Sequence, residues 1–119
     1  MLLSIIVPAF NEENNIKKLI EKLLKLNLSN VDFKKEIIVI NDGSTDKTGS
    51  IIEQYNEIIK LHQKNYGKGR AVQNGIKIAK GDFVLIQDGD LEYDPNDIIT
   101  MCKKLRKDKN KSVYGSRYL

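Results

Sequence analysis

Three observations predict an α/β fold built on a mostly parallel sheet flanked by helices. First, short, branched and almost uninterrupted apolar runs recur as LLSIIV (2–7), EIIVI (36–40) and FVLI (83–86). Such runs suit strands buried on both faces, as in parallel sheets. Second, segments with helical apolar spacing alternate with them, and that alternation favours parallel pairing. Third, the polar segments PAFNE, NDGSTD and QDGDLEYDP each follow a strand. Loops beyond the carboxyl ends of an open parallel sheet share one edge, where ligands bind. The 119 residues are enough for one domain with one modest core.

The elements follow in order. Leu2 to Val7 reads as a strand ended by Pro8. Asn11 to Leu28 reads as a helix, with Ile16, Leu19, Ile20, Leu23, Leu24 and Leu26 apolar and Asn11, Glu12 and Glu13 suited to its start. Glu36 to Ile40 is the second strand. After NDGSTD, Thr45 or Asp46 is placed to cap a helix running through Ile51, Ile52, Tyr55, Ile58 and Ile59. Leu61 to Gln63 is a brief third strand. Gly67 and Gly69 punctuate the chain before a helix marked by Val72, Ile76 and Ala79. Phe83 to Ile86 is a strand and DGDLEYDP a loop. Asn96 to Lys107 is a helix with Ile98, Ile99, Cys102 and Leu105 on one face, and Ser112 to Tyr114 is a last strand.

Composition narrows the function. The 40% hydrophobic and 30% charged shares exclude a disordered tail. No eighteen-residue apolar window exists to span a membrane. The start MLLSIIVPAF lacks the basic n-region of a secretory signal. A single cysteine, Cys102, rules out an internal disulfide or a Cys-based zinc site, so a reducing, cytoplasmic setting is expected. The net charge of +4 is unevenly spread: residues 82–100 carry six acidic and no basic side chains, residues 101–119 seven basic and one acidic. The acidic block is a cation site or a solvated loop. The basic tail suits an anionic partner or a solvated helix face, and it lacks the interleaved aromatics of a nucleic-acid module.

Asp88 and Asp90 flank Gly89. In extended chain, residues i and i+2 face one side, about 7 Å apart. Two carboxylates so placed reach one hard cation or its waters, and oxygen ligands suit Mg²⁺ or Mn²⁺ rather than Zn²⁺. Gly89 would permit an unusual turn or the close approach of a ligand. The competing reading is a surface Asp-Gly turn. Asp42, closing the second strand, is placed to accept hydrogen bonds from a sugar hydroxyl or a base N–H, unless NDGSTD is only a capped connection. Lys68 and Arg70 open a helix, where anions bind, and together would suit a diphosphate. The alternative is two flexible residues before a helix. His62 and Cys102 read as structural. Tyr66 and Tyr93 either stack on a base or pack locally.

Taken in order and spacing, SIIVPAFNEENNI, EIIVINDGSTDKT, NYGKGRAVQNGIKIAKGDFVLIQDGDLEYDP and YGSRY resemble the inverting family-2 glycosyltransferases of GT-A fold. Within that family the resemblance is to dolichyl- or polyprenyl-phosphate mannose and glucose synthases. It implies a Rossmann-like nucleotide-diphospho-sugar transferase half. By resemblance, Pro8, Phe10 and Glu12 border the nucleoside and Asp42 contacts base or ribose. Asp88 and Asp90 form the DxD motif, with Asp90 on the metal, Glu92 a further ligand and Arg117 near the diphosphate. Asn41 and Gly89 stand where many relatives have Asp and Ala.

The resemblance also implies a second, acceptor-binding half with a catalytic carboxylate. The expectation is therefore of a single nucleotide-sugar-binding domain over 1–119, truncated at its C-terminal end, on which no catalytic base is placed. The partners implied are a nucleotide-sugar donor, a lipid-phosphate acceptor at the cytoplasmic membrane face, and no nucleic acid. Self-association, or a partner chain supplying the acceptor half, is also expected. The alternative to a metal-dependent hexose transferase is a nucleotide-sugar and metal-binding module without turnover.

Overall fold

The computed structural model describes residues 1–89 and 94–107. Four parallel strands, β1 (Leu2–Ala9), β2 (Lys34–Asp42), β3 (Ile59–Gln63) and β4 (Phe83–Ile86), lie in the order β3-β2-β1-β4. The helices are α1 (Ile16–Lys25), α2 (Thr48–Glu53), α3 (Lys68–Ile78) and α4 (Pro95–Lys107). This is the predicted α/β fold, with helices on both faces of the sheet.

The two-residue alternation of β1 divides the core. Leu3, Ile5, Val7 and Ala9 pack with Ile16, Leu19, Ile20 and Leu23 of α1, Ile52 of α2, and Ile98, Met101, Cys102 and Leu105 of α4. Ile6 turns to the other face and joins Ile38, Ile40 and Ile86 beneath Ala71 of α3. There α3 lies close to the sheet, because Gly75 presents no side chain: a Cβ on it would come within 2.8 Å of Ile6 Cγ2 and 2.9 Å of Ile40 Cδ1. Burial pushes the Cys102 thiol up to about 11, so it stays a packed thiol, as the sequence implied.

Several boundaries differ from the sequence reading, each for a nameable reason. β1 continues through Pro8 to Ala9, because its ladder to β2 needs nothing from the Pro8 nitrogen. α1 starts at Ile16 rather than Asn11: Asn11 has φ 51, a left-handed turn that no helix continues. After α1, a short 3-10 turn at Ser29–Val31 and Asp32 at φ 58 bring the chain into β2. α2 ends at Glu53, and Ile59 belongs to β3 opposite Ile38. Neither Thr45 nor Asp46 is the N-cap of α2; Lys47 holds that place, although Asp46 Oδ1 accepts the Thr48 N–H at 2.9 Å. The predicted strand at Ser112 to Tyr114 lies outside the described residues.

The strand order fixes where a ligand can enter. From β1 the chain moves outward through α1 to β2 and through α2 to β3. It then returns by α3, on the opposite face, to β4 on the far side of β1. The order reverses between β1 and β4, and a crevice opens beyond the carboxyl ends of two such strands. Here the β1–β4 ladder runs into a residue that cannot donate. The β1–β4 ladder ends with Gln87 N donating to Ile6 O at 2.8 Å. In the same register the next rung would be the N–H of residue 8 donating to the Gln87 carbonyl, and Pro8 has no N–H.

Candidate functional site

A cavity of about 390 Å³ occupies that crevice, lined by Pro8, Ala9, Phe10, Glu12, Asp42, Asn65, Gly67, Lys68, Asp88 and Gly89. Its walls are the end of β1, the end of β2, the turn entering α3 and the residues after β4. The sequence reading named eight of these residues. Ala9 and Asn65 were not singled out, although both sit inside quoted segments.

Asp42 is only 5% exposed, and its carboxylate is engaged by its own chain. It accepts Gln63 Nε2 at 2.8 Å and the N–H of Tyr66 at 2.8 Å through Oδ1, and the N–H of Gly67 at 3.0 Å through Oδ2. Gln63 is held in turn by Asn74 Nδ2 of α3 at 2.6 Å. Asp42 therefore fastens the loop that leads into α3. Gly43 beside it has φ 69, and a Cβ there would lie 2.6 Å from Asn65 N, so these two backbones touch.

Lys68 and Asp88 meet across the cavity as an ion pair. Arg70 instead places its guanidinium 5.6 Å from the centroid of the exposed Tyr66 ring and does not line the cavity. Gly89 has no left-handed backbone, so of the two expectations for it the structure does not require the unusual turn. A Cβ on it would meet Glu12 Cγ and Pro8 O at 3.4 Å, an ordinary contact. Phe10 is exposed on the rim. Asp90, Glu92, Tyr93 and Arg117 lie outside the described residues. His62 bridges Asn41 Nδ2 at 3.2 Å and Glu53 Oε1 at 2.5 Å, in the structural role expected of it.

A polar clasp behind Phe10 has no counterpart in the sequence reading. Asn11 N donates to Ser44 Oγ at 3.0 Å, and Asn11 Oδ1 accepts Thr45 N at 2.8 Å. Glu12 N donates to the fully buried Thr48 Oγ1 at 2.8 Å, and that hydroxyl donates to Asp46 Oδ1 at 2.5 Å. The loop after β1 is thus sewn to the loop after β2. The signal lay in the short polar run Ser44-Thr45-Asp46, whose side chains compete well for backbone groups.

Partial desolvation would by itself raise the Asp46 carboxyl. The hydrogen bonds from Thr48 Oγ1, Thr48 N and Glu13 N outweigh it and hold the group below its ordinary value of 3.8. A carboxyl lowered in the folded state contributes stability above its unfolded pKa and loses it as pH falls through the folded one. The melting-temperature advantage of the native chain over Asp46→Asn is therefore expected to shrink as pH falls from about 5 through 3.8 and below. Melts at several pH values check this, and a constant difference would mean that the charge has no part in the clasp.

The lining carries three carboxylates, Glu12, Asp42 and Asp88, against one ammonium, Lys68. No group of three metal-ligating side chains gathers among the described residues. An ion of the Mg²⁺ type takes only one or two carboxylates, completing its shell with water and phosphate oxygens. Asp88, partly exposed and facing the cavity, suits that role. The donor chemistry therefore fits such an ion, and the acidic lining leaves a polyphosphate in need of one. Among the described residues no helix is long and apolar enough to cross a membrane.

The sequence and the fold are shared with known proteins. The sequence model of a family described as Glycosyl transferase family 2 matches residues 4–119. A dolichyl-phosphate beta-glucosyltransferase of Trichomonas vaginalis is 37% identical over 98% of this chain and 39% of its own. S. aureus TarS 1–349, solved in complex with UDP-GlcNAc, superposes with a TM-score of 0.72 at 29% identity, over 90% of this chain and 32% of its own. Glucosyl-3-phosphoglycerate synthase from Mycobacterium tuberculosis, in complex with Mn²⁺, UDP and phosphoglyceric acid, superposes with a TM-score of 0.62 at 30% identity, over 76% and 33%. The chain spans 32% to 39% of the length of these three proteins.

Proposed function

The chain belongs to glycosyl transferase family 2, and from that premise we propose that it binds a nucleoside-diphosphate sugar in the β1–β4 crevice for metal-dependent, inverting transfer of a hexose. The observation that carries this reading is the pairing of Asp88 with Lys68 at the point where the strand order reverses. Carboxylate and ammonium there offer one group for a cation and one for a diphosphate. Phe10 and Glu12, on the cavity rim, border the nucleoside, and Asp42 holds the loop that carries Lys68. Asp90, Glu92 and Arg117 complete the donor site by resemblance.

A divalent ion bound at Asp88 and Asp90 would neutralise charge on the diphosphate leaving group. The proposed acceptor is a polyprenyl or dolichyl phosphate, in keeping with the relative from Trichomonas vaginalis. A phosphate acceptor is already ionised and needs less help from a base than a sugar hydroxyl. Titration calorimetry with UDP-glucose and GDP-mannose tests donor binding. Binding is expected only with Mn²⁺ or Mg²⁺, and Asp90→Ala is expected to weaken it by about tenfold or more, the loss of a charge-assisted contact. Equal affinity for Asp90→Ala and the native chain would overturn the metal reading. Donor binding without transfer to polyprenyl phosphate would favour a binding module over an enzyme.

A further inference from the structure

The Lys68–Asp88 contact has a second implication. Asp88 sits in the cavity wall with its side chain 18% exposed, whereas the Lys68 side chain is 60% exposed and reaches in on a flexible stem. Lys68 is the single cation lining the cavity among the described residues, and it lies on the acidic group best placed for a metal. Asp88 has a second oxygen, but an ammonium at contact distance on one of them repels a divalent ion approaching the same small group, so each weakens the other's hold.

We propose that Lys68 and a divalent cation are alternative counter-ions of Asp88. Before donor arrives, the ammonium holds the carboxylate. When a nucleoside diphosphate enters with its cation, the ammonium transfers to the diphosphate oxygens and Asp88 turns to the cation. Metal alone must displace Lys68 and binds poorly. Metal with diphosphate offers Lys68 a new partner, so each ligand raises the affinity for the other, as linkage requires. This inference rests on the crevice being the diphosphate site.

The test is Mn²⁺ binding to the chain without nucleotide, read from the free-ion electron paramagnetic resonance signal. Lys68→Met and Lys68→Gln are both expected to bind Mn²⁺ about three- to fivefold more tightly than the native chain, since the competing charge is gone. Both are expected to bind UDP more weakly at saturating Mn²⁺. Asp88→Asn is expected to bind Mn²⁺ more weakly than any of them. Lys68 variants no tighter for Mn²⁺ than the native chain, with UDP still bound by the native chain, would overturn the counter-ion exchange and leave the donor site standing. A native chain that fails to bind UDP with Mn²⁺ would overturn both.

Discussion

Replacing Asp42 with alanine is expected to cost about 3 kcal/mol of stability, and donor binding with it. Three N–H groups lose a charged acceptor at once: Gln63 Nε2 and the backbone N–H groups of Tyr66 and Gly67. Each such bond contributes on the order of 1.5–3 kcal/mol, but Gly67 lines the cavity and water there can replace part of the loss. For a chain of this length, about 3 kcal/mol lowers the melting temperature by roughly 10 °C. Amide exchange at Tyr66 and Gly67 should accelerate before the rest of the sheet is affected. Asp42→Asn keeps one acceptor oxygen and should lose less. A variant Asp42→Ala that melts with the native chain yet no longer binds nucleoside would give Asp42 the ligand role and remove the anchoring one.

Gly43→Ala is expected to have a comparable effect through the same pair of loops. At φ 69 an L-residue costs roughly 1–2 kcal/mol. In addition, the new methyl would stand 2.6 Å from Asn65 N and 3.1 Å from Asn65 Cα, and backbone cannot swing aside as a side-chain tip does. Strain and clash together are put at about 3 kcal/mol. Asn65 lines the cavity, so the displacement should also weaken donor binding. Gly43→Asn separates the causes, because asparagine tolerates positive φ but still has a Cβ. If the clash dominates, Gly43→Asn will melt as low as Gly43→Ala. If it melts near the native chain, the close approach of the two loops is not what limits the site.

Elements that bury themselves were legible in the sequence. β1, β2 and β4 are apolar on both faces because helices cover both sides. The apolar faces of α1 and α4 keep helical spacing because each packs on one side only. The stretch from Ile51 to Ile59 misled for the opposite reason. Its spacing fits a helix, but parallel pairing with β2 claims Ile59, and long-range pairing overrides local pattern. The convergence of the strand-end loops was readable, because topology alone dictates it. What those loops do to one another was not. The partners of Asp42 lie 21 to 25 residues away, and Asn11 meets Ser44 and Thr45 across 33 and 34 residues. Contacts of that range leave no periodic trace. Arg70 and Lys68 look equivalent two residues apart on one helix, yet only Lys68 faces the crevice.

The proline in β1 removes one of the bonds that would otherwise draw the mouth of that crevice together. Two parallel strands side by side tend to zip onward, and a thermal fluctuation that brought β4 against β1 beyond Ile6 would be captured if each new contact added a bond. At Pro8 the first such contact adds none. Closure must then pass a step that gains no backbone bond, which biases the cleft towards staying open. A chain can then vary the residues along the rim, and so the molecule it admits, with one bond fewer drawing the doorway shut.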